Sequence, residues 1–233
     1  MTILTARMRA AGYGMPEHDS YAYKLLRKLG TPEAKLEIST MIMVGILNPN
    51  IKNKYDEALK NARAAAKSKN KTTKESALAT VYAWEYKLKK RSKESAIQEL
   101  SKLANNGNAR AATLMSDFAT LNDPKGIKWA KRGHELEDPW AGTIYWDRTY
   151  IKPGSKFEKE MTDVLTESLM RGNPLAATRL LEPSKRWNRS LTFGIAQMLR
   201  TGKNINGTYM VGSLYRSGWK GVPQNLKEAA KYL

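Results

Sequence analysis

Few residues of this chain have the types and spacing that catalysis requires. The 233 residues include two histidines and no cysteine. His18 lies between two carboxylates in the run Glu17-His18-Asp19, which could in principle act as an acid–base trio. Because this run falls in a predicted turn, capping and hydrogen bonding are the favoured roles. His134 is expected to be packed or half-buried, so we predict no histidine-based catalytic centre.

Metal and phosphate chemistry have equally little support. Without cysteine, thiolate metal sites, disulfides and cysteine nucleophiles are excluded, and the histidines are not at ligand spacing. Gly12-Tyr13-Gly14 and Gly154-Ser155-Lys156 are too short for phosphate loops, and no nucleophile elbow occurs. Glu135, Glu137 and Asp138 are predicted to cap a helix junction. The sequence therefore predicts a protein that is not an enzyme and has no cofactor or metal.

Basic charge is the strongest chemical feature of the chain. Forty Lys and Arg residues oppose 22 Asp and Glu, which gives a formal net charge of +18 and a pI near 9.9. Segments 51–102 and 151–233 each carry 14 basic and 6 acidic residues, whereas 103–150 carries six of each. Such a surface suits an acidic partner, whether protein, nucleic acid or membrane.

The densest basic stretch lies between residues 67 and 93. It represents either two solvated, lysine-rich loops between helices or a face that binds a polyanion. The candidate polyanion-binding residues are Lys67, Lys69, Lys71, Lys74, Lys89, Lys90, Arg91 and Lys93. The six tryptophans could stack single-stranded bases, but positions such as Trp129 favour packing between helices.

The elements that must position these residues are predicted to be helices. Segments 76–88 and 95–103 have apolar residues at helical spacing, and no segment shows sustained alternation. Segments 2–11 and 20–29 are predicted as a first pair of helices, and the nine prolines fall at turns. The longest apolar run, residues 41–47, is too short to span a membrane. The sequence therefore predicts an all-α fold.

These helices belong to a repeat that is clearest at the C-terminal end. Gly207, Gly212 and Gly218 are small residues around the aromatic Tyr215, and a Gly-Val-Pro-Gln-Asn turn follows at 221–225. The same pattern of small residues can be followed upstream. The anchors are Ala34, Ala77, Ala111, Ala141, Ala176 and Gly207, at spacings of 30 to 43 residues.

This pattern resembles the Sel1-like repeat, a relative of the tetratricopeptide repeat, over nearly the whole chain. The resemblance implies a right-handed superhelical α/α solenoid of about six to seven helical hairpins in one domain, 1–233. The approximate repeats are 1–30, 31–69, 75–107, 108–137, 138–172, 173–203 and 204–233, the last of them incomplete. Solenoids need polar terminal caps and none is evident, so we expect a longer array or ends that pack on a partner.

The resemblance also implies a non-catalytic interaction scaffold, often a bacterial adaptor, that binds a partner protein in a concave groove. If the geometry is like that of tetratricopeptide arrays, this groove includes Thr113 and the candidate partner-binding residues. These are Tyr86, Lys87, Asp117, Asp147, Tyr150, Lys185, Arg186, Tyr209 and Arg216. Arginine and tyrosine are typical of interface hot spots, and arginine binds carboxylates in bidentate fashion. We therefore expect an acidic segment as the partner.

Two other kinds of partner remain open at this point. The main alternative is a nucleic acid bound by the Lys/Arg blocks, with an affinity that falls steeply with salt. The blocks match no nucleic-acid-binding motif, which favours a protein. Attachment to a membrane surface is disfavoured because the lysine-rich loops lack an apolar face. No secretory signal is visible, so we expect a cytoplasmic protein; a periplasmic or secreted one would require a removed leader.

Overall fold

A computed structural model describes residues 2–11, 18–48, 51–149, 156–181, 211–212, 215–216, 218 and 224–232. All regular elements within these residues are α-helices, so the predicted all-α fold is confirmed. In chain order they are α1 (Ile3–Ala11), α2 (Asp19–Leu29), α3 (Pro32–Met43), α4 (Lys54–Ala65), α5 (Lys71–Lys87), α6 (Lys93–Asn105), α7 (Ala109–Ser116), α8 (Pro124–Glu135), α9 (Ala141–Arg148), α10 (Lys156–Met170), α11 (Pro174–Leu181) and α12 (Leu226–Ala229).

The chain divides into two compact units. Unit 1 comprises Met1–Ala6 and Asp19–Tyr150, and unit 2 comprises Arg7–His18 and Ile151–Leu233. Within unit 2, α10 packs on α11, and Nη1 of Arg7 donates to the carbonyl oxygens of Arg171 (3.3 Å) and Gly172 (3.4 Å). The prediction of a single solenoid over the whole chain stays a prediction.

Unit 1 has two layers of helices. From α2 to α9, each helix packs against the next one in the sequence. In addition α3 packs on α5, α5 on α7, and α7 on α9. The odd-numbered helices therefore form one continuous layer, and the even-numbered helices pack against it. This is the arrangement expected for stacked helical hairpins.

Short turns with a left-handed residue join successive hairpins. Gly107, at φ +87°, ends α6, and the side chain of Asn108 then accepts a hydrogen bond from the backbone nitrogen of Ala111 (2.8 Å). Glycine suits this position because it lacks the Cβ that makes positive φ costly. Gly172 (φ +85°) and Asn173 repeat the turn before α11. Each turn thereby places the small anchor residue that follows it, Ala111 or Ala176, in the interface between helices.

The anchors are fully buried wherever the structure describes them. The relative exposure is 0% for Ala34, Ala77, Ala111, Ala141 and Ala176; Gly207 lies outside the described residues. Small side chains at these positions let neighbouring helices approach closely. At Gly133 in α8 the neighbouring helix α7 is so near that an added Cβ atom would lie 2.4 Å from Oγ1 of Thr113.

One helix begins earlier than its apolar pattern predicts. α5 starts at Lys71 instead of residue 76, because Oδ1 of Asn70 accepts a hydrogen bond from the backbone nitrogen of Thr73 (3.0 Å) and caps the helix. Lys71 and Lys74, expected in a loop, therefore lie in the first turns of α5. The helices predicted at 2–11, 20–29 and 95–103 are present as α1, α2 and α6.

Candidate functional site

The predicted groove residues of unit 1 lie at the C-terminal ends of three odd-numbered helices. Tyr86 and Lys87 are the last two residues of α5, Asp117 directly follows α7, and Asp147 is in the last turn of α9. Because these helices lie side by side in one layer, the structure brings their ends to one edge of that layer. Both acidic residues and Lys87 are exposed there.

Contacts between these ends occupy several of the side chains. The rings of Tyr86 and Phe118 are 4.9 Å apart. Oδ1 of Asp117 lies 3.6 Å from Nη2 of Arg148, whose Nη1 donates to two carbonyl oxygens in the turn after α7, both at 3.2 Å. The side chain of Arg148 is only 12% exposed. The positive and negative charges at this edge therefore balance, and most of its side chains are packed. Among the described residues of this edge, Lys87 is the exposed cation.

His134, which the sequence predicts to be packed, and Thr113, which it predicts to face the groove, are both buried. His134 is 8% exposed, which confirms the expectation of a packed imidazole. Thr113 was expected to face the groove, and that expectation is wrong. It is 0% exposed, and its hydroxyl donates to the carbonyl oxygen of Ala109 (3.1 Å). Thr113 is buried because Gly133 of α8 lies directly against it: glycine has no side chain, so α8 can pack close to α7 at this point.

Most of the predicted groove in the second half of the chain lies outside the described residues. This applies to Tyr150, Lys185, Arg186 and Tyr209. Arg216 is exposed, and its carbonyl oxygen accepts a hydrogen bond from Nε2 of Gln224 (3.0 Å). These residues stay predictions.

The candidate polyanion-binding residues separate into two groups. Lys67, Lys69, Lys71 and Lys74 surround the start of α5, whereas Lys89, Lys90, Arg91 and Lys93 follow its end. The 17 residues of α5 place the two groups about 25 Å apart. The sequence run is therefore divided between the two ends of α5.

Carboxylates already neutralise part of the second group. Nζ of Lys90 lies 2.8 Å from Asp56, and Arg91 lies 2.9 Å from Glu85, which also binds Arg63 at 2.8 Å. Burial raises the pKa of Glu85, but the hydrogen bonds and positive charges of Arg63 and Arg91 outweigh burial and hold the pKa below its usual value. Glu85 is thus an ionised cross-link between α4, α5 and the turn after α5.

One groove runs along the exposed face of α4. It has a volume of about 420 Å³ and is lined by Asp56, Leu59, Lys60, Arg63, Ala64, Lys67 and Lys90. Lys67 and Lys90, from the two separated groups, both line it because α4 runs back alongside α5. Three of its four cations already have carboxylate partners: Lys60 with Glu57, Arg63 with Glu85 and Lys90 with Asp56.

A second groove, which the sequence did not predict, lies between the end of α6 and the exposed face of α8. Its volume is about 570 Å³, and it is lined by Asn105, Lys125, Lys128, Trp129, Lys131, Arg132 and Glu135. The charge count of segment 103–150 gave no sign of a basic surface here, because its six acidic residues cancel its six basic ones. The signal that could have found it is the helical spacing of Lys125, Lys128 and Arg132.

Among the residues that the structure describes, no cluster of three or more His, Cys, Asp or Glu residues has the arrangement that a metal ion would need. No helix within the described ranges is both long enough and apolar enough to cross a lipid bilayer.

The sequence matches no known family model and no curated protein. Among solved structures, the chain is similar to c5321, a protective antigen present in uropathogenic Escherichia coli strains that displays a Sel1-like repeat (SLR) fold, with a TM-score of 0.52 and 19% identity. The alignment covers 99% of this chain and 52% of c5321, so the chain spans about half the length of that protein. A Sel1 repeat protein from Oxalobacter formigenes aligns with a TM-score of 0.45 and 16% identity, over 87% of this chain and 83% of that one.

The likeness to c5321 agrees with the features that the structure shows independently. Alternating helices form two layers in unit 1, and the small anchors are buried at their interfaces. At 19% identity the likeness concerns the fold. The chain therefore has the Sel1-like repeat fold.

Proposed function

We propose that this protein is a non-catalytic interaction scaffold that binds an acidic segment of a partner protein. The Sel1-like repeat fold fits a protein-interaction scaffold in general. The acidic character of the partner is inferred from the charge of this chain, +18, and from its distribution on exposed helix faces. Opposite charge on the partner would both steer the encounter and select against basic proteins.

One observation carries this proposal. Exposed lysine and arginine side chains lie together on the faces of α4 and α8, in grooves that α-helical packing has already shaped. Within the described residues, Lys125, Lys128 and Arg132 of α8 have no ion pair or hydrogen bond through their side chains. A partner carboxylate could therefore pair with one of these cations without displacing a carboxylate of this chain.

The first test is affinity capture from a lysate of the source cells, with and without nuclease, followed by mass spectrometry. We expect one acidic protein to be retained in stoichiometric amount after nuclease treatment, and to be recovered when the two purified proteins are mixed. Loss of all retained material on nuclease treatment, together with a steep salt dependence, would instead support the alternative of nucleic-acid binding.

A charge-reversal variant tests the concave groove predicted from the sequence. In K185E/R186E/R216E, the three cations predicted for the C-terminal half of that groove become acidic. If the groove binds the acidic segment, this variant loses the captured partner. Undiminished binding would exclude the predicted groove and leave the basic faces of α4 and α8 as the binding surface.

A further inference from the structure

The groove between α6 and α8 combines cations with an aromatic surface. Its α8 wall carries four basic residues and one glutamate within the twelve residues of Pro124–Glu135. The opposite face of α8 is made of small residues, Gly126, Ala130 and Gly133, which are buried against α7. Tight packing on one face therefore turns the long basic side chains of the other face outward, into the groove.

Three of the six carboxylates that balance these cations in segment 103–150 are engaged in other contacts of the fold. Asp117 pairs with Arg148 (3.6 Å), and Asp138 with Arg110 (3.6 Å). Asp123 caps α8 by accepting a hydrogen bond from the backbone nitrogen of Lys125 (2.8 Å). The one carboxylate that lines the groove is Glu135, in the last turn of α8. The groove therefore has an excess of positive charge that segment counting does not reveal.

Trp129 gives the groove an apolar floor between these cations. It packs against the buried cluster formed by α5, α6 and α7, and it remains half-exposed. Lys128 and Arg132 are four residues apart on one face of α8, and both line the groove together with Trp129. A ligand that reaches the tryptophan is thus within reach of both cations.

We propose that this groove binds a short acidic peptide segment that carries one aromatic or aliphatic side chain. The apolar side chain packs on Trp129, and flanking carboxylates pair with Lys128 and Arg132. Lys125, about 10 Å from Arg132 along the helix axis, extends the cationic surface for a further carboxylate. The inference rests on the proposed function and assigns its site to the even-numbered layer instead of the predicted concave groove.

The arrangement favours a peptide over a nucleic acid. Glu135 would repel a phosphate backbone that continued past Arg132, whereas a short peptide can end before it. The other basic groove described above runs along α4, and α6 comes between α4 and α8 in the stack. α6 carries two lysines and two glutamates, so it interrupts the continuous basic track that a polynucleotide requires.

Fluorescence anisotropy with purified full-length protein tests the proposal. The probe is a fluorescein-labelled five-residue peptide with four Asp and Glu residues around one central Phe, which when extended spans about 17 Å, roughly the length of α8. A second probe has Ser in place of Phe. We expect K128E/R132E to weaken binding of the Phe peptide by about tenfold or more. The matched control K24E/K28E makes the same charge change, at the same spacing of four residues, on the exposed face of α2, and is expected to weaken binding by less than about threefold. The wild type should prefer the Phe peptide by about tenfold.

The possible results distinguish a wrong site from a wrong function. If the wild type binds neither peptide, acidic-segment binding itself is overturned. If it binds but K128E/R132E matches the wild type, or the control K24E/K28E loses more, the α6–α8 site is wrong and the proposed function stands. Equal binding of both peptides overturns the role of Trp129. Stronger competition by a ten-nucleotide oligothymidylate than by unlabelled peptide would identify a nucleic-acid site.

Discussion

The guanidinium of Arg110 lies 3.6 Å from the carboxylate of Asp138, and the two side chains are only 7% and 3% exposed. Arg110 is in α7, whereas Asp138 is in the turn between α8 and α9, so the pair links two successive hairpins. Nε and Nη1 of Arg110 and Oδ2 of Asp138 form no hydrogen bond among the described residues. Asp138 also accepts a hydrogen bond through Oδ1 from the backbone nitrogen of Trp140 (3.0 Å).

We predict that D138N destabilises the protein by about 3 to 5 kcal/mol, because it leaves the buried charge of Arg110 without a counter-ion. Asparagine keeps the Oδ1 acceptor, so the hydrogen bond to Trp140 is retained. Urea unfolding followed by circular dichroism gives the free energy of unfolding. The double variant R110M/D138N removes both charges and should recover most of the loss. A double variant as unstable as D138N would contradict this account.

The turn before α9 contains a strained residue. Glu137 has φ +69° at the position where Gly107 and Gly172 stand in the corresponding turns. Its side chain is exposed, so replacement removes no buried contact. E137G should therefore stabilise the protein by about 1 kcal/mol, since left-handed backbone is costly for residues with a Cβ atom. Thermal unfolding measures this gain, and E137A, which keeps the Cβ, should show no comparable gain.

The contact between α7 and α8 leaves no room for a methyl group at Gly133. In G133A the new Cβ would lie 2.4 Å from Oγ1 and 3.0 Å from the backbone nitrogen of Thr113. We expect a loss of about 1 to 3 kcal/mol in the free energy of unfolding, even though alanine favours helix by about 1 kcal/mol. G133A/T113A removes the hydroxyl and should restore part of the loss. An unchanged or raised melting temperature for G133A would show that the helices separate freely.

The cross-link made by Glu85 should be sensitive to acid. Its folded-state pKa is held below the usual value, so its contribution to stability is complete above the unfolded pKa of about 4.3 and is lost as the pH falls through the folded value. E85Q should cost at most about 1 kcal/mol at pH 7 because Arg63 is half-exposed. Urea unfolding at pH 7 and pH 3 should show this difference shrinking at pH 3. A difference of the same size at both values would contradict the prediction.

The sequence by itself was sufficient for the fold class and for the positions of the buried anchors. Small residues such as Ala111 recur at the spacing of one hairpin, and close packing between helices admits little else at these positions. Glycine before a capping residue likewise marks the hairpin turns, because few residues adopt a positive φ at low cost. These signals are local in the chain, so they can be read without the tertiary structure.

Only the tertiary structure decided which charges remain available to a partner. The cations of α8 and the carboxylates of its flanking turns cancel in the sequence, but helix packing places Asp138 in a buried pair and leaves Lys128 and Arg132 in an open groove. Helix packing likewise divides the basic residues of 67–93 between the two ends of α5. Pairing depends on distances between residues far apart in the chain, and those distances are set when the helices stack.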